Sequence, residues 1–156
     1  MSFASASGSK FYIGSQTTDA TDEQAEFEAD SYLQVGEVET IGAFGDEAAL
    51  VTFTSLADAR VRKRKGSKNA GSIQLSCAHD ADDAGQDAMV TAEASQLPYN
   101  FKVEFNDADA GETTPSTFYF RGLVMSKNFD GVTNDSIVMR NFTVEIDSAV
   151  IEVDPA

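Results

Sequence analysis

Four segments of this chain alternate apolar and polar residues with period two, and this pattern constrains the fold more than any other feature. Ile73, Leu75 and Cys77 alternate with Gln74 and Ser76. Phe101, Val103 and Phe105 alternate with Lys102 and Glu104. Phe118, Phe120 and Val124 oppose Tyr119, Arg121, Leu123 and Met125, while Phe142, Val144 and Ile146 share one face of a final segment. Successive side chains of a strand point to opposite faces, so the pattern predicts strands buried on one side. A set of such strands must close on itself or on a second layer to cover its apolar faces. The expectation is a mainly β chain: an antiparallel β-sandwich or half-open barrel of seven or eight strands with one flanking α-helix and a long basic loop. Eleven Phe and frequent Val and Thr agree with that class. At 156 residues the chain suits one domain over 1–156. A domain of that size buries about 68–70% of its unfolded surface, enough for a core without covalent staples.

The segments between these strands follow from local signals. Residues 1–9 are rich in Ser, Ala and Gly and read as a flexible N-terminal arm. Residues 10–14 form a short strand, and 15–30 read mostly as acidic loop with room for one helical turn. Residues 31–43 read as one strand, Gly42 and Gly45 flank a tight corner, and a second strand covers 47–56. Residues 57–70 are then the long basic loop. The helix is expected at 80–96, capped by Asp82 or Asp83, with Ala88, Met89 and Ala92 as its apolar stripe and Pro98 beyond its end. A turn-rich loop fills 106–115, and the last strand spans 136–153.

Charge is distributed unevenly. Six of the eleven basic residues (Arg60, Arg62, Lys63, Arg64, Lys65 and Lys68) fall within nine positions that contain no acid. The chain carries a net charge of -15, so the remainder carries -21. Such a body repels nucleic acid and anionic membrane over most of its surface. The basic run has three readings: a nucleic-acid patch, a solvated loop, or an electrostatic latch onto an acidic neighbour. With -21 elsewhere, a second copy of the chain is itself a complementary partner, which favours the latch. Neither a signal peptide nor a transmembrane helix is expected, because no apolar run of the needed length occurs.

Catalytic and metal chemistry find little support. Cys77 is the one cysteine and lies on the apolar face of its strand, which reads as core. His79 is the one histidine, so a zinc site lacks its second. Asp80, Asp82 and Asp83 begin like a calcium loop but fail at Ala84 and at Thr91. Asp107, Asp109 and Glu112 also break that pattern and read as turn acids. No catalytic residue, cofactor or metal is therefore assigned, and the chain is expected not to be an enzyme.

Several motifs in order carry a resemblance. V-G-E-V-E-T-I-G-A-F-G (35–45) precedes T-S-L-A-D-A-R-V-R-K-R-K-G (54–66) and the helix opening D-D-A-G-Q-D (82–87). F-Y-F-R-G-L-V-M-S (118–126) and V-M-R-N-F-T-V-E-I (138–146) follow. Together these resemble the tail tube proteins of long-tailed phages and the similar tubes of gene transfer agents. The resemblance covers about residues 31–150. It implies a structural virion protein, made in the bacterial host cytoplasm, whose hexameric rings stack into a hollow tube through which DNA is ejected. It further implies partners: copies of itself, a tape measure protein within the bore, and terminator and distal tail or baseplate proteins at the ends. The loop over 57–70 would contact a neighbouring ring through Arg60, Arg62, Lys63, Arg64, Lys65 and Lys68. With no immunoglobulin-like appendage in the 156 residues, the tube exterior would be plain. From the polar faces of two strands, Glu37, Glu39, Glu145 and Asp147 are candidates for the lumen wall, where acids would repel passing phosphates. Two other readings stay open: a nucleic-acid-binding module using the basic run, and a tube related to type VI secretion.

Overall fold

The computed structural model describes residues 3–17 and 23–156. Ten strands and two helices follow one another along them. In chain order these are β1 (Lys10–Gln16), α1 (Gln24–Ala29), β2 (Leu33–Val35), β3 (Val38–Ile41), β4 (Glu47–Thr54) and β5 (Val61–Asn69). Then come β6 (Ser72–Ala78), α2 (Ala84–Ala94), β7 (Tyr99–Glu104), β8 (Thr117–Asp130), β9 (Met139–Ile146) and β10 (Ile151–Val153). Eight strands form one antiparallel sheet in the order β2-β1-β7-β8-β9-β6-β3, with β10 pairing the start of β8. β4 and β5 form a separate two-stranded sheet.

The alternating segments are the middle of this sheet. Ile73, Leu75 and Cys77 on β6, Phe101 and Val103 on β7, Phe120 and Val124 on β8, and Phe142 and Val144 on β9 are all buried. They share one cluster with Phe11 and Ile13 from β1 and Val35 from β2. Strands near both ends of the sheet order thus feed the same core, so the sheet curls around it without closing. α2 covers that core with Met89 and Ala92.

The sequence expectations need five corrections. The 57–70 segment is not a loop. Its greater part is β5, the second strand of a hairpin, registered from Thr54↔Val61 to Glu47↔Asn69. Backbone pairing with β4 holds it; both of its faces are exposed, so no apolar alternation marks it. Residues 31–43 form two strands, because the chain turns at Gly36 and Glu37, where Glu37 takes a left-handed φ of 56°. β2 then pairs β1 and β3 pairs β6. The helix runs over 84–94, shorter than 80–96: Asp83 caps its start by accepting from Gln86 N at 2.9 Å, and Ser95 is already extended. α1 is a second helix in the segment read mostly as loop, and it places Phe27 against Tyr119. The last strand likewise divides into β9 and β10 around 147–150. Part of the expected N-terminal arm and of the acidic 15–30 segment lies outside the described residues.

The division at Gly36 has a local cause. The first turn of α2 lies directly on the β2 backbone. A Cβ at Gly85 would sit 2.6 Å from the Val35 Cα, so only glycine permits this approach. The Asp83 carboxylate also accepts from Gly36 N at 2.9 Å. Gln86, fully buried, completes the junction: its Nε2 donates to Ala78 O at 2.8 Å and Gly36 O at 3.2 Å, and its Oε1 accepts from Asp80 N at 3.2 Å. Every polar atom of this buried amide is used on backbone, so it fixes α2, β6 and the β2–β3 corner together.

Candidate assembly interface

The β4–β5 hairpin is the most exposed element of the described chain. Side chains of directly opposed residues lie on one face of an antiparallel pair, so its two faces read off the register. One carries Val51 opposite Arg64 and Phe53 opposite Arg62. The other carries Leu50 opposite Lys65 and Thr52 opposite Lys63. Each face is a mixture of apolar side chains and cations, and Phe53 is 67% exposed. Lys68 stands opposite Ala48 near the root, and Arg60 lies in the turn before β5. Arg62 pairs with Asp58 at 2.8 Å, an ion pair open to solvent and so of small energetic weight. The hydrogen bond from Arg62 holds the Asp58 carboxyl below the usual range. The hairpin therefore gathers all six predicted cations onto one projecting element.

The four predicted lumen acids are exposed but do not cluster. Glu37 sits at the β2–β3 corner, and Glu39 lies between Val38 and Thr40 where the register of β3 shifts. Glu145 stands opposite Ser72 at the other end of β6, and Asp147 follows β9 with its carboxylate 3.8 Å from the Arg121 guanidinium. Five residues of β6 separate Glu145 from the Glu39 end, about 17 Å.

Between those acids lies a feature that sequence reasoning missed. The sheet face opposite the core presents rows of uncharged polar side chains across four strands. One row runs Thr40, Ser76, Asn141 and Asn128; the next runs Gln74, Thr143 and Ser126. Cross-strand hydrogen bonds link them: Ser76 Oγ to Asn141 Oδ1 at 2.7 Å and Thr143 Oγ1 to Gln74 Oε1 at 2.9 Å. The signal was present as the polar half of each alternating strand, but only the register brings the residues together.

At the end of the sheet near β3 there is a cleft of about 810 Å³. Phe44, Phe105 and Phe118 line it, with ring centroids 4.8 to 6.3 Å apart. Glu39 and the arm residues Ser7 to Ser9 also line it.

The residues with chemical potential elsewhere are held in structural roles. Cys77 is buried, its thiol pushed up to about 11 by desolvation, and its Sγ lies 3.4 Å from Arg140 O. The His79 ring meets the edge of Phe129. Asp107 accepts from Ser116 N at 2.8 Å and Ser116 Oγ at 2.6 Å, and these bonds hold its carboxyl below the usual range. Among the described residues no group of three or more His, Cys, Asp or Glu is placed to hold a metal. No helix among them is long and apolar enough to cross a membrane.

The sequence profile of the phage tail tube proteins matches residues 15–151. No curated protein sequence matches the chain. Solved structures share its fold at low identity. The sheath/tube terminator of an extracellular contractile injection system (PVC, extended state) superposes with a TM-score of 0.69 at 13% identity, covering 98% of this chain and 98% of that one. The SPP1 tail tube gives 0.64 at 16%, covering 94% of this chain and 76% of that one. A chain of the anti-feeding prophage baseplate, six-fold symmetrised, gives 0.66 at 9%, covering 99% and 98%.

Proposed function

The chain belongs to the phage tail tube protein family and is a structural subunit of a tail tube; we propose that its copies form hexameric rings, stack into a hollow conduit and work by assembly alone, without catalysis. The observation that carries the stacking step is the hairpin. An isolated two-stranded sheet is marginal in water, and this one exposes apolar side chains and six cations on a chain otherwise at -21. A neighbour's acidic surface satisfies both needs, with Arg60, Arg62, Lys63, Arg64, Lys65 and Lys68 facing it. Contact between two different surfaces of the same chain repeats without closing and builds a filament. Six-fold order is supported by the symmetry of the similar baseplate chain.

The bore wall in this reading is the uncharged polar face of β3, β6, β9 and β8, with Glu37 at one end and Glu145 and Asp147 at the other, while Glu39 belongs to the aromatic cleft that it lines. Hydroxyls and amides hydrate well and offer a passing polyanion no cation to bind, while the acids at the rims repel phosphate. A tape measure protein would occupy this bore during assembly. Terminator and distal tail or baseplate proteins would cap the tube, and assembly would take place in the host cytoplasm. The test is negative-stain electron microscopy of the concentrated, purified chain, alone and with its tail initiator proteins. Hollow tubes or stacked six-fold rings are expected; small particles under both conditions would overturn the proposal.

A further inference from the structure

The hairpin carries an apolar tip as well as charge. The turn between β4 and β5 is closed by Ala59 N donating to Ser55 O at 2.9 Å, and it holds Leu56 wholly in solvent. Leu56 is not a lone exposed apolar residue: Leu50, Val51, Phe53 and Val61 of the same hairpin are also exposed, and exposed apolar side chains gathered on one element mark an interaction surface. The aromatic cleft at the β3 end of the sheet has the opposite shape: Phe44, Phe105 and Phe118 line a concave apolar site with Glu39 beside them. We propose that the cleft of one subunit receives the hairpin tip of a second copy of this chain, Leu56 seating on the Phe44, Phe105 and Phe118 rings and Arg60 facing Glu39. This rests on the tail tube reading for the presence of a stacked neighbour.

The occupant follows from the chain's own geometry. β4 begins three residues after Phe44. Its eight residues then carry the tip roughly 25 Å away from its root. The tip of a subunit cannot enter the cleft at that root, but it can enter the same cleft on another copy. Knob and hole thus lie at opposite ends of one hairpin, and their engagement sets a repeat that propagates from copy to copy. Charge agrees: the turn contributes Arg60 and the cleft contributes Glu39. A nucleic acid fits the cleft poorly, because an acid lines it and no cation does.

Ala43 lines the cleft and is exposed, which makes it a site for a cysteine. The native Cys77 is buried and its thiol is pushed up to about 11, so it stays silent under mild oxidation. In the full-length chain carrying Ala43→Cys and Leu56→Cys, assembled and then treated with diamide, a ladder of dimers, trimers and higher species is expected on non-reducing gels. Each single variant alone should give no ladder. Assembled tubes without a ladder would overturn the inference while leaving the tube function standing. A ladder from Phe3→Cys with Ala43→Cys, and none from the Leu56 pair, would give the cleft to the N-terminal arm of a neighbour instead. If the wild-type chain forms no tubes, the tube reading fails separately; the pair is then oxidised in concentrated solution, where head-to-tail dimers support the cleft contact and monomers overturn it. As a second measurement, Leu56→Asp should keep the wild-type circular dichroism and raise the concentration needed for assembly at least tenfold. Assembly at the wild-type concentration would overturn the proposal.

Discussion

At the scale of single residues, the helix opening Asp83-Ala84-Gly85-Gln86 does the most to hold the fold in register. Asp83 caps the helix, Gly85 permits the close approach to β2, and Gln86 is a buried amide bonded to three backbone groups. Gln86→Leu keeps the volume but leaves Asp80 N, Gly36 O and Ala78 O without that partner, and should cost about 2–4 kcal/mol in urea unfolding of the unassembled subunit. A loss under about half a kcal/mol would show that the junction does not depend on it. Asp30 is a second such residue. Burial alone would raise its pKa, but bonds from Ser15 N, Ser15 Oγ, Asn100 Nδ2 and Ser31 N hold it below the ordinary carboxylate value. A carboxyl whose folded pKa is depressed adds stability above its unfolded pKa of about 3.9, and loses it as pH falls through the folded value. Asp30→Asn should therefore destabilise at neutral pH by on the order of 1 kcal/mol, discounted for partial exposure, and the gap to wild type should shrink below about pH 4. A gap that stays constant from about pH 7 to about pH 3 would contradict this. None of these roles was legible beforehand except the cap at Asp82 or Asp83, because a buried Gln and a shared Asp differ from exposed ones only through partners distant in sequence.

At the scale of elements, legibility followed the hydrophobic signal. β6, β7, β8 and β9 announced themselves because one face of each is core, as with Phe142 and Val144 against Asn141 and Thr143. β5 did not, because Val61–Asn69 lies in solvent on both faces and only its pairing with β4 makes it a strand. The β2–β3 corner was hidden for the opposite reason: apolar residues continue through 32–41, and the turn is imposed by α2 packing on Gly36. The six cations were found in sequence, but their division between two faces, Arg62 and Arg64 with Phe53, Lys63 and Lys65 with Leu50, needed the register. A two-sided hairpin held by few buried groups should open readily in the free subunit. Amides of peptides over 47–69 should exchange within seconds in dilute protein and become protected in tubes. Replacing Arg62, Lys63, Arg64 and Lys65 by Ser should leave the circular dichroism unchanged and abolish stacking. Tubes of normal length from that variant would remove the electrostatic latch, though not the Leu56 contact.

At the scale of the whole molecule, the uneven charge decides how the assembly meets nucleic acid. A free subunit presents six cations on one arm, against -21 summed over all its other residues, so arm and body act on a polyanion with opposite sign. Within about a Debye length of the arm, near 10 Å at 0.1 M salt, the cations dominate; beyond it the body repels. The hairpin projects roughly 25 Å, so at low salt the free chain can touch DNA weakly through its tip. In the proposed stack the balance changes, because each hairpin would lie against the acidic surface of its neighbour and its cations would be neutralised there. What would remain facing solvent and the proposed bore is the acid-rich body and the uncharged rows of Thr40, Ser76, Asn141, Asn128, Gln74, Thr143 and Ser126. A nucleic-acid-binding module would behave in the reverse manner, gaining affinity as copies assemble along a strand. The discriminating measurement is co-sedimentation of duplex DNA at about 50 mM salt with free subunits and with tubes. Weak retention by subunits, absent from the four-fold Ser variant, with no retention by tubes, is the outcome expected of a conduit. Tubes that retain DNA with a steep salt dependence would mean the hairpin cations remain open after assembly, and both the latch and the neutral bore would have to be given up.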